Sequence, residues 1–174
     1  MKTTRIVIVG FMCAGKTTVA RALARQLNCE MIDLDALIVE HERRTVPELI
    51  TAEGEAAFRR METYVLRIAL ERKLARVVAL GGGAWTIAEN RALIAEHKCL
   101  SVWLDAPFNL CWQRITAEQP QTRPLALDRK TTHELYEARR ALYELATLRV
   151  QVTEDSDAET LAAEIVRAMR RQRF

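Results

Sequence analysis

Residues 10–17 read Gly10-Phe11-Met12-Cys13-Ala14-Gly15-Lys16-Thr17, the pattern G-x-x-x-x-G-K-[ST]. A short β-branched run, Arg5 to Val9, precedes them. Apolar residues at Val19, Ala20, Leu23, Ala24 and Leu27 follow at helical spacing. A buried strand that runs into a glycine-rich loop and then a helix is the setting in which this pattern cradles phosphates. The glycines let backbone amides wrap closely around anionic oxygens, and the helix N-terminus adds partial positive charge. Lys16 is placed to reach the β- and γ-phosphates of a nucleotide, and the Thr17 hydroxyl to ligate Mg²⁺. The motif establishes nucleotide binding and leaves the phosphate acceptor open.

Working outward, the pattern alternates. Strands are expected at Glu30–Leu34, Val77–Leu80, Leu100–Leu104 and Arg149–Val152. Helices are expected at Asp35–Arg43, Val46–Leu49, Glu53–Lys73, Ile87–His97, Phe108–Thr116, Thr132–Leu145 and Ala158–Arg170. Strands alternating with helices imply an α/β fold around a central parallel sheet of about five strands. Residues 117–130 interrupt the pattern. They are polar, carry Pro120 and Pro124, and read as a moving cover over a site.

The chain has 174 residues, which suggests one domain spanning 1–174. Apolar residues make up 49% and charged residues 28%, the balance of an ordinary globular protein. The net charge of +3 is too small to argue for nucleic acid. The basic end, Arg167, Arg170, Arg171 and Arg173, lacks interleaved aromatics and reads as a solvated helix terminus. Cys13, Cys29, Cys99 and Cys111 form no C-x-x-C pair, and the three histidines lie far apart, so reduced thiols are expected. No signal peptide or membrane span is expected, and the reading is a cytoplasmic monomer that acts on a small molecule.

Other features gather at one edge of the expected sheet. Asp33-Leu34-Asp35 closes the second strand. In an extended segment both carboxylates would face one side, one near the metal and the other taking a proton from an acceptor hydroxyl. Asp35 as a helix cap is the alternative. Gly81-Gly82-Gly83 follows the third strand, and Arg59 and Glu62 lie three apart on the long helix. In an open parallel sheet these positions share the edge where ligands bind.

The ordered set GFMCAGKT (10–17), DLD (33–35), GEAAFRRME (54–62), LGGGAW (80–85), TRPL (122–125) and RRALYELATLRV (139–150) resembles the shikimate kinase family across nearly the whole chain. The resemblance implies a P-loop kinase fold. It also implies transfer of phosphate from ATP to the 3-hydroxyl of shikimate, in the pathway to chorismate and the aromatic amino acids. It assigns the nucleotide to Cys13, Ala14, Gly15, Lys16, Thr17 and Thr18, with Arg114 against the adenine. Thr17 and Asp33 serve Mg²⁺, Asp33 through water. Asp35 holds the acceptor hydroxyl and acts as base. Arg59 and Arg139 grip the shikimate carboxylate, Gly81, Gly82 and Gly83 border the sugar-like ring, and helices over about 35–63 form that side. Arg123 is carried on the cover of residues 117–130 and reaches the phosphates as a catalytic group.

The chain departs from the family pattern in places. Cys13 stands where Gly or Ser is usual, and Ala141 where proline often precedes Leu-Tyr. The acidic stretch 153–157 (TEDSD) leaves adenine contacts there unassigned. Other readings are a kinase of another hydroxy acid such as gluconate, a nucleoside monophosphate kinase, and a GTPase-like switch. The third wants an N-K-x-D signature, and the chain has no Asn-Lys pair.

Overall fold

The computed structural model describes residues 4–117 and 128–171. In chain order the elements are β1 (Ile6–Val9), α1 (Lys16–Gln26), β2 (Met31–Asp33), α2 (Leu34–Glu42), α3 (Val46–Glu53), α4 (Glu55–Glu71) and β3 (Val77–Ala79). A 3₁₀ turn (Ala84–Thr86) leads to α5 (Ala88–Glu96), β4 (Leu100–Asp105), α6 (Phe108–Ala117), α7 (Arg129–Tyr143), β5 (Leu148–Gln151) and α8 (Ala158–Arg171). No helix among the described residues is long and apolar enough to cross a membrane.

The five strands form one sheet in the order β2-β3-β1-β4-β5, and every pairing is parallel. β1 sits at the centre and all four of its side chains are fully buried, which is why RIVIV reads as an unbroken apolar run. Ile6 pairs with Val77 on one side and Leu100 on the other. The chain leaves β1 toward β2 and β3, then crosses β1 to reach β4. That reversal opens a crevice at the carboxyl ends of β1, β3 and β4, where open parallel sheets hold ligands.

Several element boundaries differ from the sequence-based expectation, each for a local reason. The second strand stops at Asp33 because Asp33 caps α2: its carboxylate accepts from the Ala36 amide at 3.2 Å. The cap is therefore Asp33, not Asp35, and Asp35 lies in the first helical turn rather than in an extended pair. The expected helix at Val46–Leu49 runs on to Glu53, opened by a Thr45–Glu48 capping box. The expected helix 53–73 begins at Glu55, because Gly54 (φ 84°) turns the chain between α3 and α4. α7 begins at Arg129, where Asp128 accepts from the Thr131 amide at 3.0 Å. Residues 128–130 thus belong to a capped helix rather than to the expected cover. Ala117 closes α6, and residues 118–127, including Arg123, lie outside the described residues.

Candidate active site

The phosphate side is built from backbone. Gly10 has φ 144°, and a side chain there would meet the Leu104 carbonyl at 2.8 Å, so the loop rests directly on β4. Gly15 (φ 93°) precedes α1 and supplies no side-chain cap, leaving the first-turn amides facing the crevice. Cys13 is also left-handed (φ 59°), a conformation disfavoured for a residue with a Cβ. The Arg114 guanidinium holds that turn, donating to the Cys13 carbonyl at 3.1 Å. Lys16 Nζ donates to the Phe11 carbonyl at 2.7 Å, which places its charge inside the loop. The Thr17 hydroxyl donates to the Asp33 carboxylate.

These groups line a cavity of about 520 Å³ together with Thr18, Asp35 and Gly82. Its far wall is Val152, Ser156, Ala158 and Leu161, from the end of β5 and the start of α8. Sequence reasoning left this wall unassigned. The acidic letters at 153–157 drew attention from Val152 and Ser156, which face the cavity. An apolar wall opposite a phosphate cradle suits a flat heteroaromatic base.

The acceptor side is built from side chains. Arg59 on α4 donates to Glu62 Oε2 at 2.6 Å and to Glu55 Oε1 at 3.0 Å. The ion pair with Glu62 is no surface feature, since Glu62 is fully buried. Glu62 Oε1 has no hydrogen-bond partner among the described residues. Burial raises the Glu62 pKa from 4.5 to about 7; Arg59 opposes the rise and Asp35 adds to it. At Arg59 burial acts downward, yet Glu62 and Glu55 outweigh it and the guanidinium holds its proton more firmly. The guanidinium stays charged, and burial holds the Glu62 carboxyl above the usual carboxylate range.

The three glycines are explained by what crowds them, not by unusual backbone angles. A Cβ at Gly81 would lie 2.6 Å from Asp35 Oδ1 and 2.7 Å from Glu62 Oε1, so the two carboxylates converge on one point. A Cβ at Gly82 would meet the Met12 amide at 3.2 Å, and one at Gly83 would sit 2.5 Å from Arg59 Cζ. The glycine segment is therefore the floor on which Asp35, Glu62, the loop and Arg59 are packed.

Arg139 on α7 completes this side. It is 8% exposed and makes no ion pair among the described residues. Burial lowers its pKa; Tyr143 opposes this and the Arg59 charge adds to it. Two guanidinium groups that feel each other, with acidic partners on only one, form a site that an anion would stabilise.

The structure thus brings Lys16, Thr17, Asp33, Asp35, Gly82 and Arg114 around one cavity, packs Gly81 against Asp35 and Glu62 and Gly83 against Arg59, and sets Arg139 within reach of the Arg59 charge. Glu62 was seen in the sequence only as a partner for Arg59; its burial against Asp35 was not legible there.

A sequence model described as shikimate kinase matches residues 12–170. The chain belongs to the shikimate kinase family. A shikimate kinase of Ruegeria pomeroyi is 39% identical over 167 residues, covering 94% of this chain and 84% of the relative. One from Lactococcus lactis is 36% identical over 161 residues, covering 92% of this chain and 94% of the relative. The solved structure of a shikimate kinase from Acinetobacter baumannii in complex with shikimate superposes with a TM-score of 0.90 at 34% identity, covering 99% of this chain and 96% of that one. As a member of that family the chain is an ATP-dependent kinase.

Proposed function

We propose that the protein transfers the γ-phosphate of ATP to the 3-hydroxyl of shikimate, giving shikimate 3-phosphate and ADP. The observation that carries this is a pair of guanidinium groups, Arg59 packed against Gly83 and the buried Arg139 close enough to feel its charge. Planar guanidiniums on separate helices fix a small carboxylate in both position and orientation. A hydroxyl on the same small ring then falls between Asp35 and the phosphate loop. Asp35 takes the hydroxyl proton as the acceptor oxygen attacks, and Lys16 neutralises charge on the transferring phosphate.

The donor set also fits Mg²⁺. Thr17 and Asp33 offer hard oxygen atoms, already in contact with each other, at the phosphate side of the cavity. Magnesium is commonly held by one or two such protein groups, with phosphate oxygens and water completing the shell. It would neutralise phosphate charge there, with Asp33 acting through water. Arg114 and the Val152–Ser156 wall would flank the adenine. Every group named comes from one chain, so the reading needs no second subunit.

The test is ADP release with shikimate, with gluconate and with no acceptor. Turnover should require shikimate. Faster phosphorylation of gluconate would overturn the assignment of the acceptor.

A further inference from the structure

Each backbone carbonyl from Gly82 to Trp85 accepts a hydrogen bond from a side chain. The Tyr143 hydroxyl donates to Gly82 at 2.5 Å and the Thr86 hydroxyl to Gly83 at 2.7 Å. The Asn90 amide donates to Ala84 at 2.8 Å and the Arg91 guanidinium to Trp85 at 2.7 Å. The Trp85 indole ties the same turn to the end of α7, donating to the Leu142 carbonyl at 2.8 Å. The segment is therefore gripped by α5 on one side and α7 on the other.

Two of these side-chain bonds are not needed to satisfy their carbonyl. Gly83 already accepts from the Thr86 amide at 3.0 Å, and Ala84 from the Ile87 amide at 3.4 Å. Asn90 also carries a penalty. It is fully buried in the first turn of α5, and its Oδ1 has no hydrogen-bond partner among the described residues. A buried polar atom left unpaired lowers stability, and an apolar residue of similar size would avoid that loss. What Asn90 supplies in return is a fixed Ala84 peptide.

That peptide adjoins Gly83, and Arg59 packs on Gly83. The Cζ, Nη1 and Nη2 atoms of Arg59 all lie 2.5–2.6 Å from where a Gly83 side chain would begin. Glu55 and Glu62 hold the guanidinium from its own helix, α4. The Gly83 backbone bounds it from a different element, so a displacement of that backbone displaces the guanidinium.

We propose that Asn90 and Thr86 are positioning residues that aim Arg59 at the acceptor carboxylate by pinning the Ala84 and Gly83 carbonyls of the backbone on which it packs. The proposal rests on the acceptor site described under the proposed function and adds two residues to it. Both act through Arg59 rather than on a substrate.

The test is steady-state kinetics on two variants of nearly unchanged shape, with melting temperatures measured alongside. Asn90→Leu removes the donor together with the unpaired oxygen. It should raise the shikimate KM roughly tenfold, near the upper end of what one hydrogen bond supplies. The ATP KM should stay within about twofold, kcat should change less than the shikimate KM, and the melting temperature should stay near wild type. Thr86→Val removes only a hydroxyl and should raise the shikimate KM about threefold. It decides the outcome where Asn90→Leu does not fold. With Arg59→Ala already in place, either substitution should change the shikimate KM by less than about twofold.

A wild-type shikimate KM in either folded variant overturns the proposal, as does a loss undiminished without Arg59. A lower melting temperature with both KM values unmoved would make the two residues ordinary scaffold and also overturns it. A wild-type enzyme that ignores shikimate would instead overturn the proposed function, so the two failures are distinguishable.

Discussion

On the proposed ATP side of the cleft one continuous stretch, residues 10–17, does nearly everything. On the acceptor side the work is divided among α2, α4, the glycine segment and α7. The first is made of amides and a helix end, so it tolerates Cys13 where a smaller residue is usual. The second is made of charged side chains set by packing: Arg59 is held by Glu55 and Glu62, and Arg139 is buried on α7 within reach of the Arg59 charge. A backbone site follows from a local motif. A side-chain site depends on how distant elements pack, and it fails when one neighbour is altered.

Asp35 stands where the two sides meet, so its loss should be the most severe. Asp35→Asn keeps the shape and removes the proton acceptor, and kcat should fall by about 10²–10⁴. ATP binding should change little, as a direct titration of nucleotide would show. Equal losses in ATP affinity and turnover would make Asp35 a metal or structural group.

Lys16→Met should lower turnover by about 10²–10³, the scale of removing one preorganised charge from a transition state. Shikimate binding measured calorimetrically should survive, because Lys16 is seated inside the phosphate loop on the Phe11 carbonyl. Activity within about tenfold of wild type would dissolve the distinction drawn between the two sides.

Gly83→Ala sharpens the comparison from the other direction. The added methyl would sit 2.5 Å from Arg59 Cζ. The guanidinium must move, and the shikimate KM should rise roughly 10–100-fold, the range expected for losing one charge-assisted contact. The ATP KM should stay within about twofold. A shift in both constants together would mean that the glycine segment serves the nucleotide as well.

The smallest expected effect is on stability. Burial lifts Glu62 from 4.5 to about 7, so the folded protein favours its protonated form. Below pH 4.5 folded and unfolded chains both hold the proton. Between pH 4.5 and 7 the unfolded chain releases it first, and stability falls as pH rises. Above pH 7 the loss is complete, at most about 3 kcal/mol and reduced by the pairing with Arg59. Melting temperatures should decline across that window in the wild type and decline less in Glu62→Gln. Parallel curves would show that Glu62 is ionised throughout.

The same division explains what could be read from the sequence. The sheet, its parallel strands and the phosphate loop were legible because buried β-branched runs and a contiguous motif announce themselves locally. Asp33, Asp35, Arg59, Arg139 and the three glycines were singled out mainly because together they resemble a family. Their geometry was not. Asp33 caps α2, which breaks the extended pair expected of Asp33 and Asp35. Glu62 shows its burial only once α4 is packed against the end of β3. Tyr143 gave no signal beyond an apolar position at the end of a helix, because the carbonyl its hydroxyl donates to lies on Gly82, in a distant segment. Val152 and Ser156 line the cavity from either side of exposed acidic residues, whose letters gave no sign of it.

The central claim is that the acceptor is recognised through its carboxylate by two guanidinium groups. The most direct measurement compares kcat/KM for shikimate and for its methyl ester in the wild-type enzyme. Two charge-assisted hydrogen bonds of about 1.5–3 kcal/mol each imply a preference for the acid of at least roughly 10². Equal use of acid and ester would contradict the account, because Arg59 and Arg139 would then be reading something other than the charge.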